Sequence, residues 1–144
     1  MAILSKDKVK LNVTGKNKEE VIRMAGELLV AAGHVEPSYV DSMLERENSL
    51  STYMGGGLAI PHGTNEAKRY IKSTGLSIIQ LPEGVDFGEG NIANVVIGIA
   101  AVGDDHLDIL TSVAMVCSDD DNLERILKAS TPEELIDIFE SEME

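Results

Sequence analysis

Apolar and polar positions alternate along Val9-Lys10-Leu11-Asn12-Val13, the period-two pattern of a half-buried strand, and a turn follows around Gly15. Val21, Met24, Ala25, Leu28, Leu29 and Ala32 then recur at helical spacing, and Gly33 supplies the stop. A second helix is predicted from near Pro37 to near Glu47, with Val40, Met43 and Leu44 on one face. Asn48 to Gly57 reads as a polar, glycine-rich loop, and Gly55-Gly56-Gly57 as a turn. The apolar run Leu58-Ala59-Ile60 reads as a buried strand end, because Pro61 removes a backbone donor and fixes its own φ. Asn65 to Ile71 is a short connection. Thr74 to Leu81 reads as a strand ended by Pro82. Glu83 to Gly90, with its three glycines and three acids, reads as an exposed loop. Ile92 to Val102 is a Val/Ile-rich run without alternation, the signature of a central strand buried on both faces, and Gly103 ends it.

The remainder is helical. Leu107, Leu110, Val113, Ala114 and Val116 mark one helix, starting beside Asp104-Asp105-His106. Asp119-Asp120-Asp121 is the acidic start of the next. Thr131-Pro132-Glu133-Glu134 combines a capping threonine, a first-turn proline and a glutamate three residues on, and opens the last helix, which carries Leu135, Ile138 and Phe139. The predicted order is β-α-α-β-β-β-α-α-α. Interleaved elements around a doubly buried strand predict an α/β fold: a three-layer α/β/α sandwich with a central mixed β-sheet.

A chain of 144 residues fits one domain, residues 1–144, and 43% apolar residues give it enough material for a core. With three Tyr, two Phe and no Trp, that core must be aliphatic. A net charge of −13 argues against binding nucleic acid or inserting into an anionic membrane, and favours a basic partner surface. The single cysteine, Cys117, excludes an intrachain disulfide and lies in a helical apolar stripe. No apolar run approaches the roughly 20 residues that span a bilayer, and charges from Lys6 onward break up any signal-peptide core, so a cytoplasmic setting is expected.

Candidate chemistry centres on Gly57-Leu58-Ala59-Ile60-Pro61-His62-Gly63. The motif mounts an imidazole at the end of a rigid element, with glycine backbone beside it to admit an approaching group. Of the other histidines, His34 follows a helix stop and is expected in a surface turn. His106 lies between the central strand and the following helix, so it and His62 could face each other across strand ends, where α/β sheets commonly place ligands. Arg46 is an ordinary helix charge unless it reaches back over His62. Two histidines with Asp104 or Asp105 could hold zinc, but no paired-ligand spacing supports a metal centre. A Gly-x-Ser-x-Gly elbow is absent, and the glycine triplet lacks the Lys-Ser/Thr of a nucleotide-binding loop.

The histidine motif resembles the phosphorylation site of the enzyme IIA component, mannitol/fructose class, of the sugar phosphotransferase system. Met43-Leu44-Glu45-Arg46-Glu47 precedes it as in that family, and His106-Leu107 with Leu110 resembles the family's second histidine motif. Pro82-Glu83-Gly84-Val85-Asp86-Phe87-Gly88 resembles the loop of the mannitol subgroup. Leu58 departs from the more frequent Ile or Val, a mild change. The resemblance implies that His62 accepts a phosphoryl group on Nε2, that His106 and Arg46 line the site, and that Pro61, Gly63 and Thr64 form the phosphoryl-binding segment. It implies no cofactor and no metal. It further implies HPr, with a basic rim, as donor, and the enzyme IIB of a membrane IIBC transporter as acceptor. A regulatory IIA homologue, a IIA for fructose or another sugar alcohol, and a metal-binding module using His62 and His106 are the alternatives.

Overall fold

The computed structural model describes residues 3–15, 17–49, 51–102 and 105–143, apart from the side chains of residues 65, 105–107 and 141–143. Within them, β1 (Val9–Lys10), β2 (Tyr53–Gly55), β3 (Leu58–Ala59), β4 (Gly75–Asp86) and β5 (Ile92–Ala100) form one mixed sheet in the order β1-β4-β5-β3-β2. Five α-helices accompany it: α1 (Lys18–Ala31), α2 (Ser38–Ser49), α3 (Asp105–Ser118), α4 (Asp120–Lys128) and α5 (Pro132–Met143). The pairs β1–β4 and β3–β5 are parallel, and β4–β5 and β2–β3 antiparallel.

Alternation along the two long strands divides the core between the faces of the sheet. Leu76, Ile78, Val95, Ile97 and Ile99 point to one side and pack with Val113, Ile126, Leu135 and Phe139 of α3, α4 and α5. Ile79, Leu81 and Val96 point to the other and pack with Val21, Ile22, Leu29 and Met43 of α1 and α2. The doubly buried strand is β5, at the centre of the sheet, as its Val/Ile-rich run predicts. Ile78 and Ile97 are cross-strand partners, fully buried on one face, and truncating either to Ala costs about 2–5 kcal/mol.

Local signals hold at the helix ends. Asn17 Oδ1 accepts from the Glu20 amide at 2.9 Å, Asp119 accepts from Asp121 and Asn122, and Thr131 Oγ1 accepts from Glu134 at 3.2 Å. Cys117 is buried in the core, where loss of hydration pushes its thiol up to about 12.

Four expectations change. The segment read as a polar loop contains β2, so the order has a fourth strand before the helices: Gly55, Gly56 and Gly57 all have positive φ and fold β2 back onto β3. The first strand keeps only two residues, because Asn12 turns left-handed at φ 54° and its amide is captured by the Gln80 side chain at 2.9 Å. Pro82 does not end its strand, which runs on to Asp86, and the segment read as an exposed loop after it buries Val85 and Phe87. The register between β4 and β5 shifts between Gln80 and Val85, and a proline needs no ladder donor inside such a bulge. Finally, His34 is fully buried and not in a surface turn. Gly33 (φ 83°) closes α1 with its amide on Val30 O at 3.0 Å and the His34 amide on Leu29 O at 3.0 Å, a Schellman closure that swings the next side chain back toward the protein interior.

Candidate active site

The site is assembled where β3 runs out. Beyond Ala59 the parallel ladder with β5 persists as a single bridge, His62 to Ile99, secured by the Ile99 amide on Pro61 O at 2.9 Å. Pro61 is thus a fixed hinge post whose carbonyl is already used by β5. From α2, Tyr39 adds a second tie: its hydroxyl donates to Ile99 O at 2.8 Å and accepts the Gly63 amide at 2.9 Å. Burial pushes this phenol up to about 12, so it stays protonated and keeps both bonds across the physiological range. The glycine after His62 matters for a reason other than an open approach. A Cβ on Gly63 would lie 2.5 Å from the Tyr39 ring and 2.6 Å from Ser42 Oγ. Only glycine lets the loop lie flat against α2.

His62 itself is half-buried. Its Nδ1 lies 2.8 Å from Ile60 O. A carbonyl only accepts, so Nδ1 carries the proton and the lone pair resides on Nε2. Burial holds the ring's pKa below its ordinary value, with the Arg46 guanidinium adding in the same direction. The Ile60 carbonyl and the Glu47 carboxylate oppose them. The net direction keeps the imidazole neutral, and therefore nucleophilic, at neutral pH.

A cavity of about 290 Å³ opens over the ring, lined among others by Tyr39, Arg46, Gly63, Thr64 and Lys68. Arg46 therefore does reach the His62 site from the last turn of α2. Thr64 precedes the 3₁₀ segment Asn65–Tyr70 and makes no side-chain capping bond to it. The backbone of His106 belongs to the first turn of α3, but its side chain, like residue 104 and the side chain of Asp105, lies outside the described residues. Among the described residues no cluster of His, Cys, Asp or Glu has the makings of a metal site.

Two neighbours were not singled out in the sequence. Tyr39 stands beside the apolar face of its helix, and nothing local reveals that its hydroxyl ties β5 to the loop after His62. Glu47 sits in a charged stretch that reads as solvated, yet it is only 4% exposed. His34, by contrast, has no part in the site. Lys8 Nζ lies 2.6 Å from its Nε2, and Ser73 Oγ lies 2.9 Å from its Nδ1.

The chain is similar to known proteins over nearly its whole length. The family described as "Phosphoenolpyruvate-dependent sugar phosphotransferase system, EIIA 2" matches residues 2–142. The mannitol-specific phosphotransferase enzyme IIA component of Geobacillus stearothermophilus is 52% identical over 139 residues, covering 96% of each chain. The protein of the same description from Bacillus subtilis is 50% identical over 139 residues, with 96% of this chain and 97% of that one covered. Among solved structures, the complex of enzyme IIA-mannitol and phosphorylated enzyme IIB-mannitol from Escherichia coli superposes with a TM-score of 0.90 at 41% identity, covering 96% of this chain and 97% of that one.

Proposed function

Since this chain belongs to the EIIA 2 family of the phosphoenolpyruvate-dependent sugar phosphotransferase system, we propose that it is a phosphoryl carrier with His62 as the acceptor. The donor is the phosphohistidine of HPr, and the acceptor is a mannitol-type enzyme IIB. The choice of mannitol follows the relatives at 52% and 50% identity and the likeness to a IIA held with phosphorylated IIB. Among the described residues no helix is long and apolar enough to cross a membrane. In this reading, which follows the family, the carrier works on the cytoplasmic side.

The observation that carries this reading is the 2.8 Å bond from His62 Nδ1 to Ile60 O beneath an arginine-lined cavity. Nε2 attacks phosphorus in line. The new Nε2–P bond forms as the donor's N–P bond breaks, and that electron pair returns to the donor nitrogen. The Nδ1 proton stays where it is. Negative charge spread over three oxygens in the transition state is met by the Arg46 guanidinium, by Lys68 at the rim, and by Thr64. His106, one residue into α3, completes the set in this reading. Donor and acceptor use the same open mouth in turn, and the nitrogen-to-nitrogen transfer from the HPr histidine to His62 is close to balanced, which suits a relay that must run forward at modest driving force. Pro61, whose carbonyl is taken by β5, serves by fixing the loop, and Gly63 serves by letting it pack on Tyr39.

The test is phosphorylation by enzyme I, HPr and phosphoenolpyruvate, followed by intact mass. The parent is expected to gain one acid-labile phosphoryl group and His62→Ala none. A label that survives His62→Ala sinks the assignment.

A further inference from the structure

Glu47 is a buried carboxylate that the reaction scheme does not use. It lies in the last turn of α2, with its side chain 2% exposed, and its Oε2 is 3.6 Å from Lys18 Nζ at the start of α1. That oxygen accepts no hydrogen bond among the described residues. Burying a charge with one distant ion partner and an unsatisfied oxygen is costly, so a neutral Gln of the same shape would be the cheaper core residue. The other oxygen shows where the carboxylate acts. Oε1 accepts from Thr52 N at 2.9 Å and from Thr52 Oγ1 at 2.6 Å. The Thr52 carbonyl in turn accepts the Ile60 amide at 3.1 Å, and the Ile60 carbonyl accepts His62 Nδ1–H at 2.8 Å. Three hydrogen-bonded links, joined through the backbones of Thr52 and Ile60, connect the carboxylate to the imidazole.

We propose that Glu47 is a positioning residue for His62: its carboxylate locks Thr52, and through Thr52 and Ile60 it fixes the ring's orientation and Nδ1–H tautomer, while its charge favours the positively charged ring. That charge has a use in the carrier. When phosphorus bonds to Nε2 with the Nδ1 proton retained, the ring becomes cationic, and a nearby carboxylate holds the proton in place. Glu47 opposes the two influences that disfavour a positive ring, burial and Arg46. Other groups around the ring are Tyr39 of α2, and Glu66 and Lys68 of the 3₁₀ segment, which line the same cavity. Lys18 faces Glu47 from α1 and tempers it.

The cationic-ring argument depends on the carrier assignment, whereas the test needs no phosphoryl donor, so the two fail separately. His62 is titrated by imidazole ¹⁵N NMR in the full chain. Glu47→Gln keeps an acceptor for Thr52 and is expected to lower the His62 pKa by about half a unit or more. Glu47→Asp keeps the charge and is expected to restore most of that shift. Lys18→Met, at a partly exposed position that does not depend on the Gln variant folding, removes the tempering cation and is expected to move His62 upward. A His62 titration and tautomer identical to the parent in Glu47→Gln, or unmoved in Lys18→Met, overturns the proposal and leaves Glu47 a purely structural residue.

Discussion

His34 and His62 are the same side chain, each beside the central sheet and each held below the ordinary histidine pKa chiefly by burial. The surroundings differ in what each ring faces. Around His34 both ring nitrogens have protein partners, Lys8 and Ser73, and a Cβ on the neighbouring Gly75 would meet the ring at 2.5 Å. Around His62 the backbone holds one nitrogen, and the ring borders a cavity with Arg46 on its wall. A histidine sealed on all sides is a piece of architecture. One gripped from behind by a carbonyl and opened to a charged cavity is suited to chemistry. Burial and pKa direction alone do not separate them; the cavity that His62 borders does.

The contrast is sharpest in paired substitutions. His62→Gln is expected to abolish phosphoryl acceptance while changing the free energy of unfolding by no more than about 1 kcal/mol, as for a half-buried polar residue. His34→Ala is expected to do the opposite. It removes the ring acceptor of a buried ammonium and leaves a hole, a loss of about 2–4 kcal/mol by urea denaturation, with the acceptance rate of the folded fraction unchanged. If both variants lose acceptance and stability together, the distinction fails.

Tyr39→Phe probes the grip on the His62 loop. Losing the hydroxyl frees the Gly63 amide and Ile99 O, which is expected to cost about 1–2 kcal/mol. It is also expected to slow phosphoryl acceptance severalfold, measured by rapid quench. An unchanged rate would show that the ladder bond from Ile99 to Pro61 is grip enough.

The smallest effect is in acid. Both rings have folded-state pKa values below the 6.5 of the unfolded chain, so on acidification the unfolded state takes up protons first. Stability from this source is complete above that value and drains away as the pH falls through it, by at most about 1.4 kcal/mol per pH unit for each ring. Thermal melts from neutral pH downward should show the slope, and His34→Gln and His62→Gln should each flatten it.

Much of this was legible in the chain. The Val/Ile run of β5, the helical stripe of α1 and the capping residues Asp119 and Thr131 carry their structure in local pattern, and the His62 motif stands out because proline and glycine bracket it. What escaped depended on contacts distant in sequence. Pro82 reads as a strand end unless one knows that β4 bulges there against β5. His34 reads as a surface residue unless one knows that the Schellman closure turns it toward Lys8, 26 residues earlier. Tyr39 and Glu47 look ordinary because their partners are supplied by strands and loops that meet them only after folding.

The two margins of the sheet bear on how such a carrier behaves in a crowded mixture of donors and acceptors. At one margin β1 is two residues long and gives way to the left-handed Asn12. At the other β2 is three residues long and breaks into three positive-φ glycines. Neither presents a flat row of unsatisfied amides and carbonyls long enough to recruit a strand from another molecule. Fibrous self-association by strand addition is therefore denied a template at both ends, and encounters between chains are left to side-chain surfaces.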